Sequence, residues 1–232
     1  MKTQIEHARL LSQSSPRFHS MFGPGAFTLV EMLVVISIMA ILAALIIPTT
    51  RIVAEKKNRS AVEAELRQLE VVIDSYKDKL GYFPPDNTNN PAQPPLYYEL
   101  VGTTNNATAS WTLSGHEPIS KANIRKYFNM ESFMNSAATE DDVKNFHIQI
   151  KPKQRDINSD GVVFLTVPVK GPVTVPVPGL ANPVNPTRTS GAQLNTWRYD
   201  SSSTNRHNLE AYDLWAEIII AGKTNIIGNW KR

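Results

Sequence analysis

The chain has 232 residues, 41% hydrophobic and 19% charged, which suits one modest domain with an appended segment and is too apolar for a disordered chain. Its formal charge is +3, but Lys2, Arg9 and Arg17 against Glu6 place that excess in residues 1–26, and the remainder carries 21 basic and 20 acidic side chains. With no basic cluster interleaved with aromatics a nucleic-acid partner is not expected, and the absence of cysteine excludes disulfides, thiolate metal sites and thiol nucleophiles.

From Phe27 to Ile47 the chain reads FTLVEMLVVISIMAILAALII, with Glu31 as its one charge. As a helix this run reaches roughly 30 Å, the hydrocarbon thickness of a bilayer, so it predicts a membrane span. The net-positive segment before it predicts a cytoplasmic start, with everything past Pro48 on the far side. A secretory signal peptide would have a shorter apolar region and a cut near Ala43-Ala44. A plain amino-terminal anchor is the other alternative. Glu31 is the informative residue, because a carboxylate entering lipid needs a partner or a proton. A cut before Phe27 would create an ammonium about one helical turn away, in the same chain or in a shifted neighbour. Otherwise Glu31 is an interfacial residue favoured by the helix dipole.

Gly25-Ala26-Phe27-Thr28-Leu29-Val30-Glu31, followed by Met32-Leu33-Val34-Val35, resembles the cleavage and methylation motif of type IV prepilins and type II secretion pseudoprepilins. The resemblance implies that a prepilin peptidase cuts between Ala26 and Phe27 and N-methylates Phe27, that Glu31 is the assembly charge, and that Pro48 kinks the helix. Ala26 departs from the usual glycine before the cut. Cutting after Gly25 instead would put Glu31 one place out of register.

Past Pro48 the spacing of Val62, Leu66, Leu69, Val72/Ile73, Tyr76 and Leu80 predicts an amphipathic helix, with Glu55–Arg59 and Glu63–Arg67 as supporting pairs and Gly81, Pro84 and Pro85 as its stop. Residues 84–118 read as an irregular connection. Ser120 is expected to cap a short helix carrying Ile124, Tyr127, Phe128 and Phe133. Phe146–Ile150 reads as a strand. The alternation Val163, Leu165, Val167, Val169, turning at Lys170-Gly171 into Val173, Val175 and Val177, reads as a proline-limited hairpin. Thr196–Asp200 and Tyr212–Ile220 complete an antiparallel sheet, and Trp230 is expected to pack. The fold class is therefore α+β: a long amino-terminal helix on a small carboxy-terminal antiparallel sheet. Its divisions are a leader (1–26), a membrane and polymerisation helix (27–48), an amphipathic half-helix (49–81) and a pilin-like head (82–232) with a proline-rich excursion at about 168–186.

Asp74-Ser-Tyr76-Lys-Asp-Lys-Leu80-Gly81-Tyr82-Phe83-Pro84 looks like the major, G-type pseudopilin, as do Trp197-Arg-Tyr199, Tyr212-Asp213-Leu214-Trp215 and Asn229-Trp230. That family binds calcium in a loop after Tyr-Asp-Leu, where this chain has Ala221-Gly222-Lys223 in place of an acidic residue and glycine.

A second calcium pattern is local. Asp156-Ile-Asn158-Ser-Asp160-Gly161 has the D-x-N-x-D-G opening of a calcium loop. Phe164 and Val167 occupy its ninth and twelfth positions, so both a calcium site on Asp156, Asn158 and Asp160 and a simple turn stay open. The five histidines show no metal-ligand spacing, and no nucleophile or phosphate-binding motif appears, so no enzyme is expected. The resemblance implies a structural subunit of a periplasmic pseudopilus: a helical homo-oligomer anchored once in a bacterial inner membrane. Its partners would be other pseudopilins, the prepilin peptidase, an assembly platform and its ATPase. A type IV pilin for adhesion, motility or DNA uptake, and a signal-anchored periplasmic domain that never polymerises, are the alternatives.

Overall fold

The computed structural model describes residues 27–113, 117–146, 150–174 and 184–230, leaving out the side chains of residues 45–52. The chain divides into two compact units, Met1–Thr49 and Thr50–Arg232. The first helix, α1, spans Leu29–Leu80 and so belongs to both.

In the first unit every described side chain of α1, through Ala44, is exposed, including Leu29 at 80% and Met39 at 64%. Among the described residues no helix is long and apolar enough to cross a membrane. The apolar run itself continues to Ile47, past the last of these side chains.

In the second unit the predicted stripe of α1 is the spine of the core. Val62, Leu66, Leu69, Ile73 and Tyr76 are all buried, and Val72 and Leu80 pack at its margin. The helix ends where Gly81, at φ +88°, donates its N–H to the Lys77 carbonyl at 2.7 Å. The predicted surface pairs are replaced. Arg59 Nε bonds Glu63 Oε1 at 2.8 Å, because Glu55 turns instead to accept the Ala221 N–H at 3.2 Å. With Glu63 so engaged, the expected Glu63–Arg67 pair gives way as well.

The stretch read as irregular is structured. A short helix α2 (Leu96–Val101) follows Pro94-Pro95 and is buried on all sides. Strands β1 (Thr103–Asn105) and β2 (Ala109–Thr112) form a hairpin whose Asn106 side chain accepts the N–H groups of Thr108 and Ala109. Strand β3 (Pro118–Ser120) pairs with β2, and β4 (Ser136–Ala137) pairs in parallel with β1. Ser120 caps α3 (Lys121–Phe128) as expected, its Oγ accepting the Asn123 N–H at 3.1 Å, but the helix stops at Asn129, in the left-handed region at φ 55°, short of Phe133.

Strand β5 (Arg155–Ile157) and strand β6 (Val163–Leu165) make a second hairpin. The valine hairpin expected here does not form in the described residues. Strand β6 pairs backward with β5, residues 171–174 are not a strand, and residues 175–183, with Val175 and Val177, lie outside the described set. The strand expected at Phe146–Ile150 falls mostly on residues 147–149, also outside it, and neither flanking residue is in a strand.

Strands β7 (Arg198–Asp200), β8 (Asp213–Ile220) and β9 (Lys223–Gly228) form the antiparallel carboxy-terminal sheet in that order. The β8–β9 turn puts Ala221 at φ 49° and Gly222 at φ 76°, the left-handed pair of a tight hairpin. Where one sheet was expected there are three small ones, and one of them contains a parallel pair.

Two buried carboxylates tie α1 and α2 into this unit. Glu65 of α1 accepts the Trp197 Nε1–H at 2.9 Å. Glu99 of α2 is fully buried and accepts the Tyr76 hydroxyl at 2.9 Å and the N–H groups of Met134 and Asn135 at 2.8 and 2.9 Å. Burial raises the pKa of both, with hydrogen bonds working against it.

Candidate functional site

The sequence motif centres on the bond between Ala26 and Phe27. Ala26 lies outside the described residues, while Phe27 is non-helical and 73% exposed. Two residues later α1 begins, and the reason is local. Thr28 Oγ1 accepts the Glu31 N–H at 3.2 Å, and Glu31 Oε2 accepts the Thr28 N–H and the Thr28 hydroxyl, both at 2.8 Å. This is a reciprocal capping box: Thr28 is the cap and Glu31 the third helical residue. It uses two of the amino-terminal groups that a helix otherwise leaves unbonded.

The arrangement gives Glu31 a partner that the sequence reading did not name. Threonine three residues before glutamate is a legible capping signal, masked here by the apolar run in which the charge of Glu31 stands out. Farther along, the Ser37 hydroxyl bonds the Leu33 carbonyl at 2.7 Å, so this polar residue is satisfied inside its own helix. From Phe27 to Ala44 the surface is otherwise apolar and exposed among the described residues. An exposed apolar surface of that size is the kind that marks contact with lipid or with other chains. Pro48 sits in α1 beside the boundary between the units, and its side chain is outside the description.

The structure also places the candidate calcium residues. Asp156, Asn158 and Asp160 lie on the β5–β6 hairpin, but each engages different partners. Asp156 Oδ2 accepts Arg188 Nε at 3.0 Å; burial works to raise this carboxyl's pKa, and the hydrogen bonds from Arg188 and the Ile157 N–H, with the Arg188 charge, together outweigh it and hold the pKa low. Asp160 Oδ2 pairs with Lys126 and accepts the Tyr127 hydroxyl at 2.7 Å. Asn158 Oδ1 accepts the N–H groups of Asp160 and Val162 at 3.0 and 2.8 Å, which closes the turn. Each oxygen set is therefore committed to a cation or to the turn. Among the described residues no group of three or more His, Cys, Asp or Glu side chains is placed to hold a metal. Asp213 caps the loop before β8, accepting the N–H groups of His207 and Asn208 at 2.7 and 2.9 Å and facing the His207 ring at 2.9 Å. That ring stacks on Trp230 at 4.2 Å, so Trp230 packs as expected.

Residues 23–47 match the family described as the prokaryotic N-terminal methylation motif. The match covers both sides of the Ala26–Phe27 bond and Glu31, and it ends one residue before Pro48. It supports a place for the chain in the superfamily of type IV pilins and pseudopilins. No curated protein and no solved structure matches the chain.

Proposed function

We propose that this chain is a structural subunit of a type II secretion pseudopilus, nearest in kind to the major, G-type pseudopilin. The observation that carries the reading is the methylation motif, with Phe27 exposed at the start of a helix whose described apolar side chains, through Ala44, are all exposed. In this reading the prepilin peptidase cuts before Phe27 and methylates the new amine. The helix from Phe27 to Pro48 anchors the subunit once in the inner membrane, with the head in the periplasm. A platform and its ATPase then extract subunits, whose apolar helices pack together along the fibre axis. Fibre growth moves secreted proteins outward, and the subunit itself performs no catalysis.

The G-type subtype is supported by where the resembling segments lie. Tyr76, Trp197, Tyr199, Tyr212 and Leu214 all belong to one core. The absence of cysteine favours it over pilins that close a carboxy-terminal loop with a disulfide.

The test is amino-terminal sequencing with mass measurement of membrane-extracted protein. An N-methylated start at Phe27 is expected; an intact Met1, or a start after Ala44, overturns the proposal. Glu31→Ala is expected to be cleaved normally and to assemble poorly. Long surface filaments on overexpressing cells, with secretion intact in a deletion strain, would reassign the chain to the pilins.

A further inference from the structure

The basic side chains of the second unit are unevenly placed. Arg51, Lys56, Lys57 and Arg59 follow within twelve residues of the end of the apolar run at Ile47. Glu55 lies among them, but its carboxylate is directed to the Ala221 N–H at 3.2 Å. That bond sets the β8–β9 turn beside α1 at this level and brings Lys223, the residue after Gly222, with it. The Ile219 N–H donates to the Lys170 carbonyl at 3.1 Å, which places Lys170 at the same end of β8.

Lys56, Lys57, Lys170 and Lys223 are all exposed, and among the described residues none of them forms an ion pair. The acids nearby are engaged: Glu63 with Arg59 at 2.8 Å, and Glu217 with Arg198 at 3.2 Å. From Phe27 onward the chain carries 21 basic and 20 acidic side chains, so four uncompensated cations at one end leave the rest net negative. Ile219, 39% exposed, adds an apolar contact at this end.

We propose that this collar, Lys56, Lys57, Lys170 and Lys223, binds the phosphates of anionic phospholipid headgroups and holds the head against the bilayer surface. The inference rests on the membrane-anchored reading above. A solvated basic face would be the ordinary outcome for one run on one helix. Here three chain segments contribute: the stretch of α1 that follows the apolar run, the β8–β9 turn bonded to it, and the Lys170 segment bonded to the end of β8. A lysine near an anionic leaflet contributes about 1 kcal/mol, roughly fivefold in binding, and its long stem lets the ammonium reach the headgroup level. The collar thus gives each subunit a preferred seat before extraction, one that salt weakens.

The chain has no cysteine, so Thr224→Cys, exposed beside Lys223, supplies a single site for an environment-sensitive dye. The full chain is reconstituted into vesicles of phosphatidylcholine alone, or of phosphatidylcholine with phosphatidylglycerol, each containing a headgroup-linked quencher. Quenching is expected only with phosphatidylglycerol and is expected to fall as salt is raised. Replacing the four lysines by glutamine is expected to lower the seated-to-free ratio of heads at least about tenfold, and replacing them by arginine to preserve it. Equal quenching in both lipids, or quenching unchanged by the glutamine variant, overturns the proposal. Release of the chain from the vesicles by alkaline carbonate overturns the anchoring reading itself. Retention without any lipid preference overturns only the collar.

Discussion

Glu99 is fully buried, and hydrogen bonds rather than a cation hold its carboxylate. Glu99→Ala would strand the Tyr76 hydroxyl and two backbone N–H groups, a loss of about 3 kcal/mol or more in chemical denaturation, whereas Glu99→Gln keeps one of the two accepting oxygens and costs less. The pH dependence follows from the direction of the shifts. Burial raises the pKa of Glu65 and Glu99, so the folded state keeps their protons at pH values where the unfolded chain has released them. Their contribution is therefore fully present below the ordinary carboxylate range and is lost as pH rises through the raised folded values. Asp156 has the opposite sign, because its pKa is held low and its stabilisation disappears as pH falls. Melting curves across the acid range are expected to show Glu65→Gln and Glu99→Gln flattening the neutral-side loss while leaving the acid-side loss in place. A second residue-scale outcome concerns the motif. Thr28→Ala removes the acceptor of the Glu31 N–H, so hydrogen exchange at that amide is expected to speed up in the membrane-extracted protein; Thr28→Ser is expected to restore protection.

At the scale of elements, periodicity made α1, α3, β7 and β8 legible, because each carries its burial pattern in consecutive residues. The stripe from Val62 to Tyr76 and the alternation Leu214, Ala216, Ile218 are both buried as the spacing requires. The connection at 84–118 hid its structure for two physical reasons. In α2 all six residues are buried, so no polar face marks the helix. Strands β1 (Thr-Thr-Asn) and β2 (Ala-Ser-Trp-Thr) are short and largely polar, with no apolar alternation, and the Asn106 side chain builds the turn that links them. Strand β9 was missed because its partner β8 runs directly into a two-residue turn with only one glycine. Gly102 gives a sharp test of how α2 joins β1. At φ +80° it caps α2, and a Cβ there would stand 2.3 Å from Val143 Cγ1 and 2.8 Å from the Lys144 carbonyl. Gly191 has a similar φ of +82° with open space around it. Gly102→Ala is expected to cost about 2–4 kcal/mol, since the clash adds to the backbone penalty, whereas Gly191→Ala should cost only about 1. Equal losses in paired denaturation curves would show that the close approach carries no energy.

At the scale of the whole molecule, the two units differ in what completes them. The second has a closed core, with Tyr76, Trp197, Tyr199 and Phe164 fully buried. The first shows, among its described residues, an apolar helix surface that is exposed from Leu29 to Ala44. The methylation motif falls within the first unit, whose described helix surface is exposed, while the second unit packs around its own core. Truncation tests this directly, and the position of the cut decides the outcome. A chain beginning at Asn58 loses the whole first unit and the first turns of α1 in the second, but keeps every stripe residue from Val62 onward. It is expected to fold without detergent and to melt within a few degrees of the full chain. A chain beginning at Glu70 loses Val62, Leu66 and Leu69, each contributing about 1.5–3 kcal/mol of burial, and it leaves Trp197 Nε1 without Glu65. That sum is comparable with the whole stability of a typical domain, so this chain is expected to be unfolded by circular dichroism. Folding of the longer truncation would mean that α1 is an accessory to the head. Unfolding of the shorter one would mean that the apolar half of the helix belongs to the head's folding unit after all.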